Sequence, residues 1–248
     1  LLTPRARQHE GLFLVEGPRA LRTVMDAGAA VAHVIVEGED DQPDLRAALA
    51  AAGVPILACQ GGLLASVSEV DTPQGWLAIV HNPPQDRLCQ SPPARLLVLD
   101  GVQDPGNVGT LLRTADAAGA GVLLAGPCAD PLSPKVVRAS AGAVVRVPWQ
   151  KLGTAEAHAW LAGVEHGVIV LDGAADEDLF EAPLPYPLAL VAGSEAHGPS
   201  EVWRDAPRRR LPMGAGAESL NVAVAAAIAL YDSVRREGLG GRSHETAF

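Results

Sequence analysis

A chain of 248 residues has room for one large domain or two modest ones. With 48% hydrophobic and only 4% aromatic residues the core is aliphatic, which excludes a disordered chain. A formal net charge of −10 argues against a general nucleic-acid binder; divided at residue 92, each part carries −5 (6 basic against 11 acidic residues before it, 13 against 18 after it), so any such contact must come from local clusters.

The opening "LLTPRARQHE" has two arginines and no apolar run behind them, so no signal peptide is expected. "GLFLVEG" (11–17) reads as a buried strand, and Gly17-Pro18 opens a helix that stops at Gly28. "AHVIVEG" (32–38) is the next strand, "DLRAALAAAG" (44–53) a helix, and "VPILAC" (54–59) and "GWLAIV" (75–80) two further strands. Strands alternating with helices predict βαβ units and a sheet covered by helices, an α/β fold. "HNPPQDRLCQSPPAR" (81–95) has four prolines in two pairs and is the best linker in the chain. The expected organisation is a domain over 1–82, a Pro-rich linker over 83–94 and a second domain over 95–248.

In the second domain the patterning predicts strands at 95–99, 121–126, 144–147, 168–172, 188–193 and about 209–212. Helices are expected near 107–119, 134–141, 154–166, 199–205 and 219–237. "DGAADEDLFE" (172–181) reads as a solvated acidic loop. "SLNVAVAAAIALYDSVRR" (219–236) is apolar nearly all round and needs burial on several faces; a dimer interface and a position inside one subunit both fit. Its apolar run, Val222–Tyr231, falls short of the roughly 20 residues that span a bilayer, so no membrane span is expected. Cys59, Cys89 and Cys128 form no C-x-x-C pair and read as small hydrophobes in a reducing cytoplasm. His158 and His166 have no carboxylate or cysteine at ligand spacing, and no metal is expected.

Three polar stretches follow strands. In "LLVLDGVQDPGNVGTLLRTADAAGAG" (96–121) the glycines lack the G-x-G-x-x-G spacing of a dinucleotide site, and no G-x-x-x-x-G-K-[ST] occurs anywhere, so neither a dehydrogenase nor a P-loop is supported. Asp104-Pro105-Gly106 is a tight turn and Asn107 is suited to cap the helix that carries Arg113. "LALVAGSEAHG" (188–198) runs a strand into Gly193-Ser194-Glu195, and "LPMGAGAESLNVAVA" (211–225) runs one into a glycine-rich loop ending in Glu218-Ser219-Leu220-Asn221, where Ser219 or Asn221 could cap the last helix. Ligands of open α/β sheets bind beyond the carboxyl ends of strands, so three polar ends in one domain point to a site.

In order and spacing, "DPGNVGTLLRTADAAG", "LVAGSEAHGPS" and "LPMGAGAESLNVAVAAAIALY" resemble the three motifs of the SpoU (TrmH-like) RNA ribose 2′-O-methyltransferases of the SPOUT superfamily, a resemblance covering 95–237. "SPKVVRASAGAVVRVP" (133–148) is also similar to that family, and "HEGLFLVEGPRALRTVMDAG" (9–28) to the L30e-like substrate-binding domain of many ribosomal-RNA members. The resemblance implies a parallel α/β domain with a deep trefoil knot, a smaller L30e-like domain before it, and a homodimer with its site at the subunit interface. It implies S-adenosylmethionine (SAM) as cofactor and ribosomal RNA as the favoured partner, with transfer RNA or a noncatalytic RNA-binding role as alternatives. Residue by residue it assigns RNA handling to Asn107 and Arg113, catalytic polar groups to Glu195, Ser219 and Asn221, and cofactor binding to Gly193, Leu211 and Leu220. For RNA contacts the sequence offers three clusters: Arg204, Arg208, Arg209 and Arg210; Lys135, Arg138 and Arg146; and Arg5, Arg7, Arg19 and Arg22.

Overall fold

In the computed structural model, which describes residues 1–38, 42–68, 74–84, 86–214, 216 and 219–238, the strands fall into two sheets. The first third contains α1 (Pro4–Glu10), β1 (Leu12–Glu16), α2 (Pro18–Asp26), β2 (Val31–Glu37), α3 (Pro43–Ala51), β3 (Ile56–Cys59), α4 (Leu63–Val67) and β4 (Trp76–His81). Helix α1 starts where Thr3 Oγ1 accepts the Ala6 amide and ends at a left-handed Gly11, a short capped turn that hydrophobic periodicity does not reveal. The strand order is β1-β4-β2-β3, with β4 antiparallel to both neighbours and β2 parallel to β3. Alternation of strands and helices therefore predicts one true parallel βαβ unit, β2-α3-β3, while β4 inserts between β1 and β2 in the opposite sense. Phe13, Val34, Ala78 and Val80 of the sheet and Leu21, Val24, Leu45 and Leu49 of α2 and α3 are buried.

The rest of the chain contains α5 (Arg87–Gln90), β5 (Arg95–Asp100), α6 (Pro105–Ala117), β6 (Gly121–Ala125), α7 (Pro134–Ala139), α8 (Ala143–Arg146), β7 (Trp149–Leu152), α9 (Thr154–Ala162), β8 (Gly167–Leu171), β9 (Leu188–Gly193), a 3₁₀ turn (Glu201–Trp203), β10 (Arg208–Arg209) and α10 (Val222–Gly238). All six strands run parallel in the order β10-β8-β9-β5-β6-β7. The near-continuous apolar runs of β5, β6 and β9 are those of strands buried on both faces. Leu96, Val98, Leu123, Ala189 and Val191 pack with Ala157, Leu161 and Trp203, while the alternate residues Leu97, Leu99, Leu124 and Leu190 are equally buried. Fully burying each such leucine contributes about 1.5–3 kcal/mol.

By its contacts the chain divides into two compact units. One comprises Leu1–Asp86, Asp104–Arg113 and Ala129–Val147; the other comprises Arg87–Gln103, Thr114–Cys128 and Pro148–Phe248. Inside the Pro-rich stretch, α5 buries Leu88 in the core of the second unit, and Gln85 lies outside the described residues.

Three local expectations need correction. The strand expected at 144–147 is the short helix α8: Gly142 turns in the left-handed region just before it, Pro148 follows it, and Trp149–Leu152 takes the ladder position beside β6. The helix expected at 199–205 is one 3₁₀ turn. The acidic stretch 172–181 is not merely solvated: Leu179 is buried, the backbone at Asp178 forms an isolated parallel β-bridge with that at Arg210, and Arg236 donates to the carbonyls of Leu179, Phe180 and Ala182. Arg236 is itself held by the buried Asp232 one turn before it, at 2.7 Å. That same helix, α10, exposes Val224, Ile228 and Tyr231 at a spacing of three to four residues. No helix among the described residues is long and apolar enough to cross a membrane.

Candidate active site

A cleft of about 320 Å³ opens beyond the carboxyl ends of three neighbouring parallel strands, β10, β8 and β9. That size falls within the range of about 300–1,000 Å³ usual for small-molecule sites. Six of the residues singled out in the sequence line it: Gly193, Glu195, Leu211, Ser219, Leu220 and Asn221. Its walls are mostly apolar, with Leu171, Ala192, Met213 and Val222 among them, and its polar groups arrive from separate loops.

The floor is set by the loop after β9. Ser194 O accepts the Gly198 amide at 2.9 Å and Ser194 Oγ the His197 amide at 3.2 Å, which folds 194–198 into a tight turn. This turn brings Gly198-Pro199 back over Gly193 so closely that a Cβ on Gly193 would overlap Pro199 N and the Gly198 carbonyl carbon. Only a residue with no side chain permits that approach. One residue further, the buried carboxylate of Asp100, at the end of β5, accepts the Ser200 amide at 2.6 Å. Asp100 is the register partner of Gly193, so the ladder and this hydrogen bond fix the two ends of the same loop.

The rim carries charge. Asp172 accepts Arg208 Nη1 at 2.6 Å and the Ala174 amide at 2.9 Å. The Ala174 amide first, and the Arg208 guanidinium next, hold its carboxyl below the ordinary 3.8, against an opposing contribution from burial. Arg209 pairs with Glu177 at 2.5 Å, while its Nε is buried with no hydrogen-bond partner in the protein. Asn221 is the cap of α10: its Oδ1 accepts the amides of Ala223 (2.9 Å) and Val224 (3.2 Å), and this fixes where Ser219 and Leu220 leave the helix. Glu218 lies outside the described residues.

Asn107 and Arg113 do not line this cleft and belong to the other compact unit. Asn107 is not the helix cap: α6 starts at Pro105, Asp104 Oδ1 accepts the Asn107 amide at 2.7 Å, and Asn107 stands in the first turn. Val108, Leu111, Leu112 and Ala115 turn inward, which leaves Asn107, Thr110 and Arg113 at three-residue spacing on the accessible side. The six-residue separation that places Asn107 and Arg113 apart on an ideal wheel thus still leaves both on the wide polar side of one helix.

Sequence reasoning misses Asp172, Gly173, Arg209 and Met213 as lining residues. A signal exists, since Asp172-Gly173 directly follows a strand as the motif loops do, but only the strand order reveals that β8 lies between β9 and β10. Among the described residues no cluster of three or more His, Cys, Asp or Glu could hold a metal ion.

The donor set fits S-adenosylmethionine. Apolar walls suit the adenine, the Gly193 cradle allows backbone groups to approach it, carboxylates at the rim suit a cation, and the unsatisfied Arg209 Nε suits the amino-acid carboxylate.

Comparison with known proteins agrees with this arrangement. Residues 94–231 match the SpoU rRNA Methylase family and residues 1–78 the MRM3-like substrate binding domain. The chain is 32% identical to the 23S rRNA (guanosine(2553)-2′-O)-methyltransferase RlmP of Bacillus subtilis, over 93% of this chain and 92% of that protein. It is 33% identical to the 23S rRNA (guanosine-2′-O-)-methyltransferase RlmB of Vibrio cholerae, over 90% and 96% respectively. The crystal structure of the SpoU methyltransferase AviRb from Streptomyces viridochromogenes in complex with AdoMet superposes with a TM-score of 0.83 at 30% identity, covering 97% of this chain and 95% of that one. Alike from end to end in sequence and in fold, the chain belongs to the SpoU rRNA methylase family.

Proposed function

We propose that this protein transfers a methyl group from S-adenosylmethionine to a ribose 2′-OH in structured RNA, with 23S ribosomal RNA as the substrate. The observation that carries this reading is the cleft at the ends of β8, β9 and β10, where Gly193, Glu195, Leu211, Ser219 and Leu220 come together, in a chain of this family. Relatives that act on 23S RNA and match nearly the whole chain favour ribosomal over transfer RNA.

When bound, S-adenosylmethionine supplies a methyl already activated by its sulfonium. What the protein must add is position and charge. Holding the reacting groups in line is worth roughly 7–11 kcal/mol of barrier. Gly193, Leu211 and Leu220 hold the cofactor, Leu211 and Leu220 through backbone groups and apolar contact. Asn107 and Arg113 handle the ribose and its phosphate. A guanidinium stays protonated, so Arg113 acts as phosphate clamp and as stabiliser of the forming alkoxide rather than as the base. The 2′-OH proton leaves to water or to a phosphate oxygen. Glu195 and Ser219 orient the reacting groups, and Asn221 serves them by capping α10.

In this reading residues 1–82 form an L30e-like RNA-binding domain, 83–94 a linker and 95–248 the methyltransferase domain. The methyltransferase domain holds a deep trefoil knot near its C-terminus; support comes from α10 packing on β9, inside the sheet, rather than on the edge strand β10 that precedes it in the chain. The exposed stripe Val224, Ile228 and Tyr231 forms a homodimer interface. The protein works in the cytoplasm, where its RNA is made.

The test is calorimetric titration with S-adenosylmethionine and with NAD, followed by transfer of labelled methyl to 23S RNA and to transfer RNA. Binding of S-adenosylmethionine alone and methylation of 23S RNA are expected. Arg113→Ala should reduce transfer by about a hundredfold or more while leaving cofactor affinity intact. Neither cofactor binding nor transfer, with RNA present, would overturn the reading.

A further inference from the structure

The three cationic clusters of the sequence meet different fates. Arg7 is buried and consumed by Asp130, at 2.5 and 3.0 Å, and by the Leu1 carbonyl at 2.7 Å. In the 204–210 cluster Arg208 pairs with Asp172 and Arg209 with Glu177, and Arg204 lies 3.8 Å from Asp205. Like Arg5 in α1 and Arg210 after β10, Arg19, Arg22, Arg113, Lys135 and Arg138 are exposed and form no ion pair among the described residues; these last five are carried by elements that touch one another.

These five lie in one compact unit, and two close contacts join the elements that carry them. Gly109, one turn before Arg113 on α6, approaches α7 so nearly that an added Cβ would overlap the Ala139 Cβ and lie 2.9 Å from Val136 O. Gly142, four residues beyond Arg138, sits against α2, where its Cβ would lie 2.9 Å from Thr23 Cγ2 and 3.2 Å from Thr23 O. Thr23 follows Arg19 by four residues and Arg22 by one, on the side of α2 away from the buried Leu21 and Val24. The segments that carry Arg113, then Lys135 and Arg138, then Arg19 and Arg22 are therefore packed one against the next in that order.

Carboxylates are nearly missing from it. In α2, α7, α8 and the first nine residues of α6 the only one is Asp26, at the end of α2. For a chain of net charge −10 this is a concentrated cationic strip. None of the exposed large hydrophobic residues lies on these four elements. The strip therefore has no side chains to insert into a membrane and no aromatic platform on which bases stack. What remains is recognition of phosphates and of helical shape, the mode by which double-stranded RNA is held.

We propose that Arg19, Arg22, Lys135 and Arg138 form a track for the phosphate backbone of a helical segment of the substrate RNA, beyond the methylated nucleotide that Arg113 handles; this rests on the RNA methyltransferase reading above. The experiment measures binding of the full chain to a labelled, stem-containing 23S RNA transcript across a salt series. Variants are Arg19→Gln/Arg22→Gln and Lys135→Gln/Arg138→Gln, with Arg204→Gln/Arg210→Gln as control. Each strip double variant should lower the slope of log K against log salt by roughly 1.4–1.8, about 0.7–0.9 for each phosphate left without its cation, and weaken binding by about tenfold or more. KM for RNA should rise with kcat at saturating RNA and S-adenosylmethionine affinity unchanged, and the control should keep the wild-type slope. A wild type that methylates RNA, with strip variants of unaltered slope and melting temperature, would overturn this inference alone. A wild type that binds the cofactor but no RNA would overturn both readings. Equal loss of binding to anionic lipid vesicles would reassign the strip to a membrane surface.

Discussion

The buried Asp100 carboxylate accepts the Ser200 amide at 2.6 Å, and the same residue pairs in the β-ladder with Gly193. One side chain at the end of β5 thus closes the loop that floors the cleft. A hydrogen bond to a charged group is worth about 1.5–3 kcal/mol, and losing the acceptor leaves the Ser200 amide unpaired. Asp100→Ala should weaken S-adenosylmethionine binding by about tenfold or more, corresponding to about 1.4 kcal/mol. Asp100→Asn, whose amide oxygen can still accept, should recover most of that affinity in calorimetry; equal loss in both variants would remove the hydrogen bond from the explanation.

Gly193→Ala tests the cradle directly. The new methyl would overlap the Gly198-Pro199 backbone, and backbone cannot yield as a side chain can. Overpacking of this kind costs typically 1–3 kcal/mol. A lowered melting temperature is expected, together with loss of the stabilisation that added S-adenosylmethionine confers on the wild type.

Asp172 makes a statement about pH. Its folded pKa lies below the ordinary 3.8, so the stabilisation it contributes is complete above that value and is lost as pH falls through the depressed one. Between pH 8 and 5 the group is ionised in both states and contributes a constant amount. Asp172→Asn should therefore cost about 1 kcal/mol in urea unfolding, discounted for the partial exposure of Arg208, with no pH trend across that range. A difference that shrinks between pH 8 and 5 would count against the assignment.

The exposed stripe of α10 predicts an assembly. Ile228→Asp should convert a dimer to a monomer in sedimentation velocity at micromolar protein without lowering the unfolding temperature of the subunit core, since Ile228 is exposed within one chain while Ala226, Ala229 and Leu230 are buried. A wild-type chain that sediments as a monomer would refute the interface.

Much of this was written locally. The strands β5, β6 and β9 are apolar runs bounded by turn residues, and α6, α9 and α10 follow helical spacing, so their existence needed no partner. The motif loops could be read because three polar stretches follow strands in one domain and resemble, in order and spacing, those of a known family. Errors fell where local preference met tertiary competition. Val144-Val145 favours a strand, but the ladder beside β6 accepts one segment and Trp149–Leu152 holds it. Asn107 is a good capping residue, but Asp104 stands three residues earlier and takes the role.

By itself the sequence determined the α/β class, because that follows from short-range pattern, and, through three motifs that resemble a known family in order and spacing, six residues that share the cleft. Only the tertiary structure decided that β4 runs against its neighbours, that Asp172 and Arg209 join the cleft, and which arginines stay unpaired. Strand order and ion pairing depend on segments far apart in the chain: Arg7 meets Asp130 across 123 residues, and Asp100 meets Ser200 across 100. No window of local sequence contains both partners.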